Sequence, residues 1–123
     1  MWPFNSSPKN LAESIAAVCA AARTLRDYRS LRWSLFGSTG NRKFRDGLTE
    51  AALAAELRAK PDLINDWLLY SCDKRWSPAW YFDERGPGAW VVGYFHQDSS
   101  KRVETTYSDA AVACANFILK EMK

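Results

Sequence analysis

One histidine, His96, and three scattered cysteines, Cys19, Cys72 and Cys114, are the whole supply of imidazole and thiol side chains in these 123 residues. No CxxC pair occurs and no Cys/His group has zinc-site spacing, which excludes a zinc module of the usual kind. An odd number of distant cysteines in apolar surroundings predicts three buried thiols in a reducing compartment, not a disulfide framework. His96 has no serine or cysteine nearby at a spacing that suggests a catalytic pairing, and no carboxylate pair is singled out for acid–base work. The loop-like GSTGN, residues 37–41, lacks the Lys-Ser/Thr ending of a phosphate-binding loop. These scarcities predict a protein that is not an enzyme and that holds no metal and no cofactor.

Long apolar runs are scarce as well. MWPFNSSPKN has no basic region followed by an apolar stretch, and Leu11–Ala22 is interrupted by Glu13 and too short to span a bilayer. A cytoplasmic protein with no membrane partner is expected. No repeat, low-complexity tract or linker divides the chain, so 1–123 reads as a single domain. Charge is not lacking but is unevenly spread. Residues 1–60 carry a net +5 and residues 61–123 a net −2, within a total of +3.

What is abundant is tryptophan, six in all, and the stretch AWYFDERGPGAWVVGYF, Ala79 to Phe95, holds six aromatic residues. Asn10 followed by Glu13 makes a capping box ahead of a helix whose stripe is Leu11, Ile15, Val18, Ala22 and Leu25. That helix is expected to break near Asp27–Ser30, before a short strand alternating at Leu31, Trp33 and Leu35. Thr49 opens a second helix through about Ala59, and Pro61 a third with Leu63, Ile64, Trp67 and Leu68 inward. Strands follow at Ala79–Asp83, Ala89–Gln97 and Arg102–Tyr107, joined by ERGPG and DSSK as an antiparallel meander. Ser108 is expected to cap a closing helix with the stripe Ala111, Cys114, Phe117 or Ile118, and Met122. The fold class is therefore α+β: N-terminal helices, a meander over about 79–107, and a C-terminal helix packed on the sheet.

Alternation places Trp80 and Phe82 on one face and Trp90, Val92 and Tyr94 on one face, with Tyr81, Val91 and Phe95 opposite. Both faces are apolar enough to be covered, one by the C-terminal helix and the other by the N-terminal helices. Trp80, Trp90, Tyr94, Phe117 and Ile118 are expected in one core. Internal packing thus accounts for most of the aromatics.

The series SPAWYF (77–82), WVVGYF (90–95), YSD (107–109) and ACANFILKE (113–121) resembles small bacterial immunity proteins. These accompany the toxins of contact-dependent growth inhibition and related polymorphic toxin systems. The resemblance covers about residues 70–123 and rests on core aromatics, a turn and a helix face. It implies a stoichiometric inhibitor that binds the C-terminal catalytic domain of a toxin, often a nuclease, in the cell that makes both. No binding residue carries over with it. From this sequence alone, Asp73, Asp83, Glu84 and Asp98, with Trp76 as an aromatic anchor, are candidates to fill a basic groove on such a partner.

The alternative is a nucleic-acid-binding or regulatory module using Arg23, Arg26, Arg29, Arg32, Arg42, Lys43 and Arg45. Arginines three apart spread over half a helix circumference, a broad patch and not a groove-tracking stripe. RGPGAWVVGYF approaches an RNA-recognition strand motif, but Pro87 and Ala89 stand where the stacking aromatics belong. Nucleic acid is the less favoured partner.

Overall fold

The computed structural model describes residues 8–23, 36, 39–73 and 78–122. The protein is α+β. Three helices, α1 (Leu11–Cys19), α2 (Glu50–Ala59) and α3 (Asp62–Asp73), precede the strands β1 (Ala79–Gly86), β2 (Ala89–Phe95) and β3 (Val103–Tyr107). A closing helix, α4 (Ala110–Glu121), follows. Short 3-10 turns occupy Arg45–Gly47 and Ser99–Lys101.

Helices α1, α2 and α4 start where a side chain can take up free amides. The Asn10 side chain accepts from the Glu13 N–H at 2.9 Å, and Glu13 answers by accepting from the Lys9 amide. Thr49 caps α2 through the Ala52 N–H. For α4 the cap is Asp109, not Ser108: its carboxylate accepts from the amides of Ala111 and Val112. Asp109 is also bound by Arg58 at 2.6 Å, which ties the start of α4 to α2. Helix α1 stops at Ala20, earlier than the stripe predicts, and helical geometry resumes over 21–23. Nothing in the local sequence explains this interruption. The expected strand at Leu31–Leu35 lies outside the described residues, as does Leu25.

The strands form the expected antiparallel meander, in the order β1-β2-β3. Three boundaries differ from the sequence reading, the smallest difference being β3, which starts one residue late at Val103. Strand β1 runs on to Gly86, so the hairpin turn is only Pro87-Gly88, with Gly86 opposite Ala89. Gly88 has φ 69°, and proline followed by a positive-φ glycine is the signature of a type II turn. The register shifts between Glu84 and Gly86, leaving Arg85 as a bulge residue. Strand β2 ends at Phe95, two residues short of the predicted end, because Asp98 starts the 3-10 turn by accepting from the Ser100 amide.

One face of the sheet is the core face. Trp80, Phe82, Trp90 and Val92 meet α4 through Phe117 and Ile118, and the Phe82 and Phe117 rings stack at 5.8 Å. Trp67 of α3 adds an edge-on contact to Phe117 at 6.0 Å and donates its indole N–H to the Cys19 carbonyl. Four of the five residues expected in one core are there. Tyr94 stands at its margin, reaching it through a ring contact with Trp80 at 5.1 Å. Two of the three cysteines are buried as expected, but Cys72 is exposed on α3.

The N-terminal helices do not take the other sheet face. Helix α2 packs on α4, α1 on α2, and α3 against β1. The physical reason is visible in α4, whose buried residues Ala111, Ala113, Cys114, Ala115, Phe117 and Ile118 span more than one stripe. A helix apolar over so much of its circumference needs partners on two sides. The sheet supplies one and α2 the other, so the helical layers stack behind α4.

Candidate partner-binding surface

Among the described residues the helices pack behind α4 or against the β1 edge, and none of them lies on the opposite face of the sheet. Alternation and register put Tyr81, Gly93 and Glu104 in one row across it, with Asp83, Val91 and Thr106 in the next. Gly93 makes this row possible. A Cβ there would collide with the Tyr81 ring and come within 2.8 Å of the Val103 carbonyl oxygen. The tyrosine ring therefore lies over the glycine and reaches across β2. Its hydroxyl donates to Glu104 Oε2 at 2.7 Å.

The bulge aims Arg85 at the same oxygen. Its Nη2 donates to Glu104 Oε2 at 2.8 Å while its Nε donates to Asp83 Oδ2 at 3.1 Å. These bonds hold the Glu104 carboxyl below its ordinary pKa, the tyrosine hydroxyl first and the guanidinium second. Partial burial, followed by the bond to Glu104, pushes the Tyr81 phenol up. The Arg85 guanidinium is raised by its bonds to Asp83 and then Glu104. At one end of the face Phe95 is 43 % exposed, with the Arg102 guanidinium 4.5 Å above its ring. Arg102 is itself steadied by donating Nε–H to the His96 carbonyl at 2.6 Å. The result is a preordered surface of Tyr81, Arg85, Phe95 and Arg102, residue types that anchor protein interfaces.

The sequence candidates are not brought together. Asp83 lies on this outer face, already bound by Arg85. Glu84 is exposed and points to the opposite side, across from Trp90 near the hairpin end. Asp98 sits at the other end of the sheet, its carboxylate held by the Ser100 hydroxyl and amide and its pKa lowered by those bonds. Asp73 closes α3, and its side chain, like all of Trp76, lies outside the described residues. One acidic surface is therefore not formed by Asp83, Glu84 and Asp98. His96 accepts from the Asp98 amide through Nδ1 at 2.9 Å. Among the described residues no group of three or more His, Cys, Asp or Glu side chains is placed to hold a metal ion. Among the same residues no helix is long and apolar enough to cross a membrane.

The basic region is divided too. Arg23 bonds Asp66, a nearly buried carboxylate, at 2.7 Å. Arg26, Arg29 and Arg32 lie outside the described residues. Arg42 and Arg45 instead line a groove of about 520 Å³ with Lys120, over an apolar floor of Leu48, Leu119 and Met122. Lys43 is exposed beside it, its ammonium 5.4 Å from the Phe44 ring.

Sequence reasoning missed Tyr81, Arg85, Gly93 and Glu104. The available signal was Gly93 inside an otherwise bulky strand, which marks close approach by another group. Ending β1 at Asp83 concealed Arg85. Comparison of the chain with protein-family models, with curated proteins and with solved structures finds no match.

Proposed function

We propose that the protein is an immunity factor that binds a cognate toxin domain one to one and neutralises it. The observation that carries this reading is the outer sheet face, free of any helix among the described residues, on which Tyr81, Arg85 and Glu104 are locked by mutual hydrogen bonds beside exposed Phe95. A surface ordered before encounter loses little side-chain entropy on binding, which favours a tight inhibitor. The likeness of segments 77–82, 90–95, 107–109 and 113–121 to immunity proteins supports the same reading.

The charges on that face favour blockade over mimicry of a polyanion. Asp83 and Glu104 are matched by Arg85 and, at the edge, Arg102, so the face offers no excess of negative charge. Neutralisation then works by covering the toxin's active site or a neighbouring surface with a rigid plate. Co-expression with the toxic domain encoded immediately upstream should restore growth, and the two chains should co-purify. Phe95→Ser with Arg85→Ala should weaken binding at least about 30-fold, the equivalent of about 2 kcal/mol at a hot spot. Asp83→Lys should weaken it and Glu84→Lys, on the other side, should not. Absence of both rescue and binding would defeat the immunity reading. Binding that survives all outer-face changes would leave immunity standing and move the interface elsewhere.

A second reading, a nucleic-acid-binding module, draws on the groove with Arg42, Arg45 and Lys120. Titration with RNA and DNA at two salt concentrations separates it, since phosphate contacts give a steep salt slope.

A further inference from the structure

The sheet has two edges, and among the described residues only the β1 edge is covered. At β1 the Phe82 N–H turns away from β2 and donates to the Ser71 hydroxyl of α3 at 2.8 Å. That bond fixes the hydrogen-bonding phase of the whole sheet. Phe82 and Val92 are then a non-hydrogen-bonded pair, so Val92 exchanges its main-chain bonds with Thr105 of β3. By alternation Val103, Thr105 and Tyr107 bond inward to β2, while Glu104 and Thr106 present their N–H and C=O groups to the free edge. No turn, loop or cap engages the main chain of either among the described residues.

Natural edges are blunted by lysine, proline, a bulge or a covering element. Strand β3, VETTY, has none of these within it. Its one charge, Glu104, is drawn across the outer face by Tyr81 and Arg85. On the helix side Val103 is 54 % exposed, the most exposed large apolar residue described.

We propose that β3 pairs antiparallel with β3 of a second copy of this chain, about a two-fold axis at Thr105, giving a continuous six-stranded sheet. The sequence is self-complementary in that register. Glu104 falls opposite Thr106 of the other copy, and this is the hydrogen-bonded pair that the outward main-chain groups require. Thr105 meets Thr105 across the axis. Val103 falls beside Tyr107 on the same face, an aromatic and β-branched pair of the kind that stabilises sheets. Beyond the strand, Lys101 is brought toward Asp109 at both ends, a match of opposite charges. The neighbouring registers are worse. An axis at Glu104 sets two like charges opposite each other, and an axis at Thr106 sets Val103 against Asp109. A slip of one residue puts side chains on the wrong faces.

The test is sedimentation equilibrium of the full chain from roughly 1 µM to roughly 1 mM, the range suited to a small interface. A concentration-dependent dimer is expected. Thr105→Lys sets two ammonium groups opposite each other at an exposed site, and it should weaken the dimer by at least about tenfold. Thr105→Cys, in a Cys72→Ser background, should cross-link on mild oxidation, because opposed non-hydrogen-bonded pairs lie within disulfide reach. Thr106→Cys, two residues out of register with itself, should not. A monomer across the whole range overturns the proposal and leaves the edge to a strand from another protein. A dimer indifferent to Thr105→Lys, or equal cross-linking at 105 and 106, overturns it as well.

Discussion

Gly93→Ala is the smallest change that tests the construction of the outer face. Gly93 is not among the positive-φ residues, so alanine can adopt its backbone without strain. On chain entropy alone the substitution would stabilise the fold by about 0.4–1 kcal/mol. Two contacts oppose this. The new methyl meets the Tyr81 ring, which must swing away and release Glu104, and it meets the Val103 carbonyl at 2.8 Å, which belongs to the backbone and yields only if β3 shifts. Overpacking of this kind costs about 1–3 kcal/mol. The lost hydrogen bond is half-exposed and is discounted to about 1 kcal/mol. The balance is a destabilisation of about 2 kcal/mol. At roughly 2.1 cal/mol/K per residue over 123 residues, that lowers Tm by about 8 °C. Calorimetry and urea unfolding of Gly93→Ala, Tyr81→Ala and the double variant supply a cycle. The alanine should cost less once the ring is gone, with a coupling of about 1 kcal/mol or more. A neutral or stabilising Gly93→Ala, or strict additivity with Tyr81→Ala, would refute the reasoning.

Thiol titration with an aromatic disulfide should count one fast cysteine in the native protein, Cys72, and all three in denaturant. Burial pushes Cys19 up to about 12 and raises Cys114 as well, so neither supplies thiolate. Phe117→Ala, at a fully buried ring shared with Phe82 and Trp67, should cost about 3–5 kcal/mol by urea unfolding. Phe95→Ala, exposed, should stay within about 0.5 kcal/mol. The Asp109 carboxyl is held below its ordinary pKa, chiefly by Arg58. Its contribution is therefore complete above the ordinary carboxylate range and lost as pH falls through the lowered value. Asp109→Asn keeps a capping acceptor without the charge, so its stability should fall less between neutral pH and pH 3 than that of the parent. Ser108→Ala should change stability by less than about 0.5 kcal/mol, since the cap is one residue later.

The parts of this fold that could be read from sequence are those decided by local periodicity. Alternation in AWYFD and AWVVGYF put Phe82 on the face of Trp80 and Val92 on the face of Trp90, and the 3.6-residue stripe put Cys114 and Phe117 or Ile118 inward, where the core holds both. What escaped depends on pairing between distant segments. Glu104 becomes a partner of Tyr81 only once β3 is aligned through β2, and Arg85 joins them only because the strand bulges. The capping residue of α4 was misplaced by one position because Ser108 and Asp109 are both good caps. The carboxylate of Asp109 wins by also meeting Arg58 across 51 residues. The acidic candidates failed to converge for an elementary reason. Asp83 and Glu84 are adjacent in a strand, and adjacency in a strand means opposite faces.

Stacking α1 and α2 behind α4, with α3 set against β1, has a consequence for every surface of the sheet. Helix α3 closes one edge through Ser71, and α4 closes one face through Phe117, which leaves the other face and the other edge without a covering element among those described. The exposed face is kept from being a sticky apolar plane by tying its aromatic and charged groups to one another, Tyr81 to Glu104 and Arg102 to Phe95. The exposed edge has no such treatment, since the same network draws Glu104 inward and removes the one charge that would repel an incoming strand. The face and the edge are thus coupled through a single side chain. Releasing Glu104 from Tyr81 and Arg85 both disorders the plate proposed for the toxin and returns a charge to the edge proposed for the second copy.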